Sequence, residues 1–427
     1  MNLATRIALL CLVASSPAAC DGGNVGANVD AAADASQDAA GDASPDSGAC
    51  TYVATPGAIE FRDMAGTDAV AKLEAAIAAA VPVFQPPAYP MGHGPTQAQG
   101  VVHIAFDPGS NEGQGTNALV LDSPIAFPSH VRLEVDSGVT LVWGSTTPGA
   151  MFVWDGVTDV TITRGNPCHG VGVSAGRFVV DLTMPNVGAK RFISLIDVDR
   201  WLIEQVHTLS EFQAYTQTMS ANAATAITFN GKAADACPRE GVYREHSNSG
   251  SGPSWGPNQI QSLFDSYIAD IWTDGGAALR MESGTTNAGP GMYVGVHHVT
   301  AEHIFGQNGS YVVSLTPHHT PSDDVHITDV RGVSMYLGLV FQKSNDPTAV
   351  PAQVFTNTTV QGGCIIGGPD AQSPAVQGTT VGSVSAVFDA QSPASSITYD
   401  GIAVGGTFTG VPGGTGSCTL AEATNGP

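Results

Sequence analysis

The feature that most constrains this chain is a short apolar and polar pattern that returns at uneven intervals. Aligned on their last apolar residue, residues 193–196 (ISLI), 226–230 (AITFN), 278–282 (ALRME), 312–316 (VVSLT) and 338–342 (GLVFQ) coincide. A second set is residues 157–163 (VTDVTIT), 202–208 (LIEQVHT), 267–273 (YIADIWT) and 326–332 (HITDVRG). β-Branched segments recurring every 25 to 50 residues or so mark a solenoid, in which each unit is one rung and neighbouring rungs bury a shared core. The expected fold is all-β, a right-handed parallel β-helix. One amphipathic helix, 68–80, precedes the strands and should cap the solenoid at its N-terminal end. Val70, Leu73, Ile77 and Ala80 share its apolar face, and Asp68 stands where an N-cap is needed.

Alternation along a strand then assigns the side chains. With Leu195, Phe229, Met281, Leu315 and Phe341 facing inward, Asn230, Glu282, Thr316 and Gln342 face outward at one position of successive rungs, and Arg280 lies outward two residues before Glu282. Rungs stack about 4.8 Å apart, so such a ladder makes either a groove for a chain-like ligand or ordinary solvated surface. The core is sparing with charge, yet Arg280, Glu282, His318, His319, Asp323 and Asp324 fall on adjacent rungs, which favours the groove.

The ends carry a different message. Residues 1–19 have one basic residue, Arg6, an apolar run from Ile7 to Val13 and a small-residue stretch, the pattern of a signal peptide. Cys20, straight after two alanines, resembles the lipid-attachment cysteine of bacterial lipoproteins. Residues 20–50 repeat Asp among Ala, Gly and Ser; with no large apolar side chains to bury, they are expected to form a solvated tether. The solenoid is assigned to residues 51–420 and a flexible tail to 421–427. The expected location is the cell envelope or surface, or the medium, with any membrane contact made through the lipid alone.

Beyond residue 50 the chain holds 32 acidic and 14 basic residues, a formal charge of −18. That balance argues against a nucleic-acid partner; a polysaccharide partner and a monomeric chain are expected. Five cysteines fall at or beyond residue 50, Cys50, Cys168, Cys237, Cys364 and Cys418. Cys364 with Cys418 is the favoured pair for their nearness, although sequence does not fix connectivity.

Residues 275–283 (GGAALRMES), followed on the next rung by residues 314–334, resemble the catalytic region of the iota-carrageenases, inverting glycoside hydrolases built on a parallel β-helix. The resemblance covers about 75 residues and implies Glu282 as general acid, His318 close to it and Gln261 as a positioner of the attacking water. It also implies an endo-acting cut in an anionic, carrageenan-like galactan. The family has its base Asp two residues beyond the acid, where this chain has Gly284. Inverting hydrolysis needs two carboxyl groups about 6.5 to 9.5 Å apart, and Asp274, Asp323 and Asp324 are the nearest alternatives in sequence. Arg280 either holds a sulfate or carboxylate of the sugar through paired N–H donors or pairs with an acid such as Asp270. His318 either bonds substrate or Glu282, or is a surface residue of a turn.

Residues 232–256 interrupt the repeat. They form either a wall beside the groove, with Trp255 placed to stack on a sugar, or a disordered excursion. Histidines 297, 298, 303, 318, 319 and 326 lack compact ligand spacing, so no zinc site is expected. No cofactor is required, and Asp323-Asp324 with turn carbonyls either hold a structural calcium or, the favoured reading, form a solvated turn. A non-catalytic glycan-binding β-helix and a polysaccharide lyase are the competing functions; the missing Asp and the acidic charge suit the first.

Overall fold

The computed structural model describes residues 52–107, 117–146, 149–170, 175–182, 190–209, 258–274, 277–283, 296–307, 311–317, 322–335, 339–342, 355–367, 376–380, 383–384 and 397–406. All belong to one compact unit, Cys50–Pro427. The predicted leader, Cys20 and the tether lie outside the described residues. Among those described, no helix is long and apolar enough to cross a membrane.

The strands stack in parallel with long sequence separations, rung upon rung. Leu133, Ile162, Ile203, Ile268, Ala301, Ile327 and Val360 are successive register partners. All seven are buried, and they form one continuous apolar column. Parallel crossovers are right-handed for L-amino acids because the strand twist has one hand, and the chain is a right-handed parallel β-helix. Trp143, Trp154, Trp201, Phe152, Phe178 and Phe192 supply the largest interior side chains, several of them edge to face.

The longest strand, Lys190–Leu209, is a run of short pieces bent at two residues with positive φ, Arg200 and Gln205. The same pair of bends, five residues apart, recurs at Asp265 and Asp270, His298 and His303, Asp324 and Asp329, and Asn357 and Gly362. Flanking register pairs place these residues over one another on consecutive rungs. They divide each rung into three faces. Face one holds 190–196, 258–261, 277–283, 311–317 and 339–342; face two is the short strand between the bends; face three follows the second bend. A left-handed conformation puts Cβ against the following carbonyl, and Asp, Asn and His tolerate this better than β-branched residues. The composition of the corners follows from that.

The predicted helix forms as Ala69–Ala79. The Asp68 side chain accepts from the Ala71 N–H at 2.8 Å, and Leu73, Ala76 and Ile77 join the core against the first rungs. The periodicity overlooked the segments Val296–Gln307, Phe355–Gly367 and Ile397–Gly406; the first has Asn258–Asp274 on one side and Ser322–Met335 on the other. His297, His298 and Glu302 interrupt its apolar pattern. It also set residues 226–230 next to 278–282. In the fold, Ile193–Ile196 pairs directly with Asn258–Gln261, which in turn pairs with Arg280–Glu282. Cys168 and Cys364 are both disulfide-bonded, whereas Cys50, Cys237 and Cys418 lie outside the described residues.

Candidate functional site

Face one carries the predicted site. Leu195, Met281 and Leu315 are buried, as parity requires, and Leu195, Ile260, Met281 and Leu315 are consecutive register partners. One residue further on, the partners are Ile196, Gln261, Glu282 and Thr316. Gln261 and Thr316 are therefore the cross-strand neighbours of Glu282, each one rung spacing of about 4.8 Å away along the solenoid. Two residues before this row runs a parallel one, Val153, Ser194, Gln259, Arg280, Ser314, Val340 and Gln377. Gln342 follows Phe341, the partner of Leu315, and so extends the Glu282 row.

The fold thus brings Gln261, Glu282, Thr316 and Gln342 into one row with Arg280 beside it. The place that periodicity gave to Asn230 is occupied by Gln261. Asn230, Trp255, His318 and His319 lie outside the described residues, as does Gly284.

The three acids considered as a base are elsewhere on the rung. Asp274 ends the third-face strand of the Asn258–Asp274 rung. Asp323 precedes the first bend of its rung, where it bonds His297, and Asp324 is that bend. Asp324 is surrounded by His298 Nδ1 at 2.7 Å, His326 Nε2 at 2.9 Å and Asn357 Nδ2 at 2.9 Å. Burial alone would raise its pKa, but the bonds from His298 and His326 outweigh that and lower it. Both Asp324 oxygens are thus engaged by protein nitrogens. Among the described residues no group of three or more His, Cys, Asp or Glu is arranged to hold a metal ion. Asp270, the other partner considered for Arg280, is taken by Arg177.

The second face is partly roofed by residues 85–99. The Asp159 side chain, fully buried, accepts from Thr96 N at 2.8 Å and Gln97 N at 3.0 Å and pairs with Arg200 at 2.9 Å. Tyr89 packs on Tyr267, and the rings of His93 and His298 stack. His93 is buried, with Nδ1 3.8 Å from Asp265, and desolvation lowers its pKa. This column of corner residues was missed in the sequence. Its signal was there: pairs of αL-tolerant residues, mostly Asp, His and Asn, five positions apart, once per rung.

No protein-family model matches the chain, and no curated protein matches it. Solved structures with similarity to it include an iota-carrageenase of family GH82 from A. fortis, 14% identical, with 87% of this chain and 95% of that chain covered and a TM-score of 0.46. A polygalacturonase from Erwinia carotovora ssp. carotovora is 12% identical over 86% of this chain and 98% of that one, with a TM-score of 0.39. PfbA, a surface adhesin of Streptococcus pneumoniae, is 12% identical over 82% and 79%, with a TM-score of 0.29.

Proposed function

We propose that the protein is an exported, polysaccharide-cleaving β-helix that binds its substrate along face one and uses Glu282 as general acid. The observation that carries this reading is the row Gln261, Glu282, Thr316, one carboxyl group flanked in register by an amide and a hydroxyl, with Arg280 in the adjoining row. A straight row of polar groups at rung spacing suits a linear polymer, because successive sugars meet successive rungs. Sugar hydroxyls both donate and accept, which amides and hydroxyls satisfy. Glu282 must keep its proton near neutral pH to protonate the leaving oxygen. Gln261 would orient the water, and Arg280 would hold an anionic substituent through its paired N–H donors. In-register neighbours of Glu282 one rung away carry no carboxylate. Asp155, further along the same row, stands three rungs off, about 14 Å at the usual rung spacing and beyond the separation inverting hydrolysis uses, so the base has to come from outside this row.

The test is reducing-end release from a panel of sulfated and uronic-acid polysaccharides, comparing the full chain with Glu282→Gln. Loss of release in the variant supports the reading, and unchanged release ends it. Gly284 favours a second reading, a surface module that grips glycan without cutting. Retention of a polysaccharide with no new reducing ends from the wild-type chain would establish that one. Release of products absorbing as unsaturated sugars would instead make the protein a lyase.

A further inference from the structure

Residues 85–99 lie across face two as a strap and hide part of it. Thr161, Leu202 and Thr300 stand next to the inward residues Ile162, Ile203 and Ala301, so alternation turns them outward, yet each is at most 3% exposed. The strap covers them. Gln99 Nε2 donates to Thr161 Oγ1 at 3.0 Å, the Tyr89 ring packs on that of Tyr267, and Thr300 Oγ1 meets Met91 Sδ at 3.6 Å. Thr161, Leu202, Tyr267 and Thr300 are consecutive register partners, so the strap spans four rungs.

Between its ends the strap is pinned to the column of first bends. Gly94 N donates to Asp265 O at 2.8 Å. Beside it the His93 imidazole enters the column, 6% exposed, stacked with the His298 ring and with Nδ1 3.8 Å from Asp265 Oδ1. Residues 85–99 contain no Asp, Glu, Lys or Arg, so His93 is their only group that titrates near neutral pH. The groups facing it are Asp265, Asp324, His298 and His326; Asp199 and Arg200 act in turn on Asp265, and Asp323 on His298. Asp324 is already held by two imidazoles, and the Asp265 side chain is 44% exposed. Neither gives a proton on His93 the close partner that burial demands. Desolvation therefore outweighs the pull of Asp265 and Asp324 and holds the His93 pKa below the ordinary 6.5, with His298 and His326 adding repulsion.

We infer that residues 85–99 form an acid-released strap: neutral His93 locks it onto face two, and protonation drives the imidazole into water, uncovering Thr161, Leu202, Tyr267 and Thr300. A histidine that titrates near 6.5 in the open strap and lower in the closed one favours closure in full above 6.5. That contribution is lost as pH falls from there through the lower value. The strap acts independently of the chemistry on face one.

Amide hydrogen exchange on the full chain at pH 7.5 and 5.0, corrected for the intrinsic rate at each pH, tests this. Gly94, Thr96 and Gln97 donate to Asp265 and Asp159 in the closed strap, so peptides covering them report its opening. Their protection should fall about ten-fold at pH 5.0, the change that linkage to one proton allows per pH unit, while the core strands around Leu133, Ile162 and Ile203 keep theirs. His93→Phe retains a ring against His298 and cannot ionise, and His93→Asn is a smaller neutral replacement. In either variant that folds, the difference between the two pH values should vanish. Equal protection of the wild-type strap at both pH values overturns the proposal. So does a fall that persists undiminished in the variants, or one that the core strands share.

Discussion

His103 Nε2 lies 2.8 Å from Asp136 Oδ1 while its Nδ1 lies 2.9 Å from Glu60 Oε1, so one buried imidazole is clasped by two carboxylates at the start of the solenoid. Asp136 also accepts from Phe106 N at 2.9 Å and Asn166 N at 2.6 Å, and the clasp ties the first rungs to the chain that crosses them. Burial opposes protonation of His103, but the bonds to Asp136 and Glu60 prevail and raise its pKa from 6.5 to about 9. Stability from this group is full below pH 6.5 and is lost as pH climbs through about 9. A rise of that size corresponds to roughly 3 kcal/mol. Asp136 works at the other end: its pKa is lowered despite burial, so its contribution is present above the ordinary Asp range and lost as pH falls through its depressed folded value. Thermal melts from pH 5 to 9.5 should show a falling midpoint above neutrality. That alkaline slope should be shallower in His103→Gln; an identical slope in both proteins would refute the assignment.

Asp159→Ala should be among the most damaging single changes. The carboxylate is fully buried and serves two backbone N–H groups of the roof and the Arg200 guanidinium. Its removal leaves the two roof N–H groups without an acceptor, at about 1 to 3 kcal/mol each, while Arg200 keeps its pairing with Asp199. Urea unfolding should report it, and limited proteolysis should show faster cleavage within residues 85–99.

The corners make a backbone prediction. Gln205 has φ of 60°. Gln205→Val should cost about 1 to 2 kcal/mol from β-branching in the left-handed region, whereas Gln205→Gly should be close to neutral. Equal stability of the two variants in urea would show that the bend tolerates any residue.

Gly284→Asp is informative for the reaction. The iota-carrageenases that residues 275–283 resemble carry their base Asp at this position, and inverting hydrolysis requires a second carboxyl group. If face one lacks its base for want of a carboxylate here, the substitution should raise turnover at least ten-fold on whichever polysaccharide the wild type cleaves or binds. Unchanged turnover would place the base on another segment.

The sequence by itself determined the solenoid, the helix and the parity of its strands. Inward apolar residues such as Leu195, Met281 and Leu315 must recur once per rung for a shared core to close, and Asp68 ahead of an apolar stripe is a local signal. Rung order was decided only by the tertiary structure. Residues 226–230 match the strand pattern as well as 258–261 do, because two β-branched segments with one parity are locally equivalent; only the register of whole strands made Gln261 the neighbour of Glu282. The bends were decided in the same way. Asp265, His298 and Asp324 are far apart in sequence, and stacking alone turns them into a column whose charges satisfy one another. The physical reason is one of range. Alternation and capping act over a few residues and are written in the chain, whereas which rung rests on which is settled by the total burial of the stack.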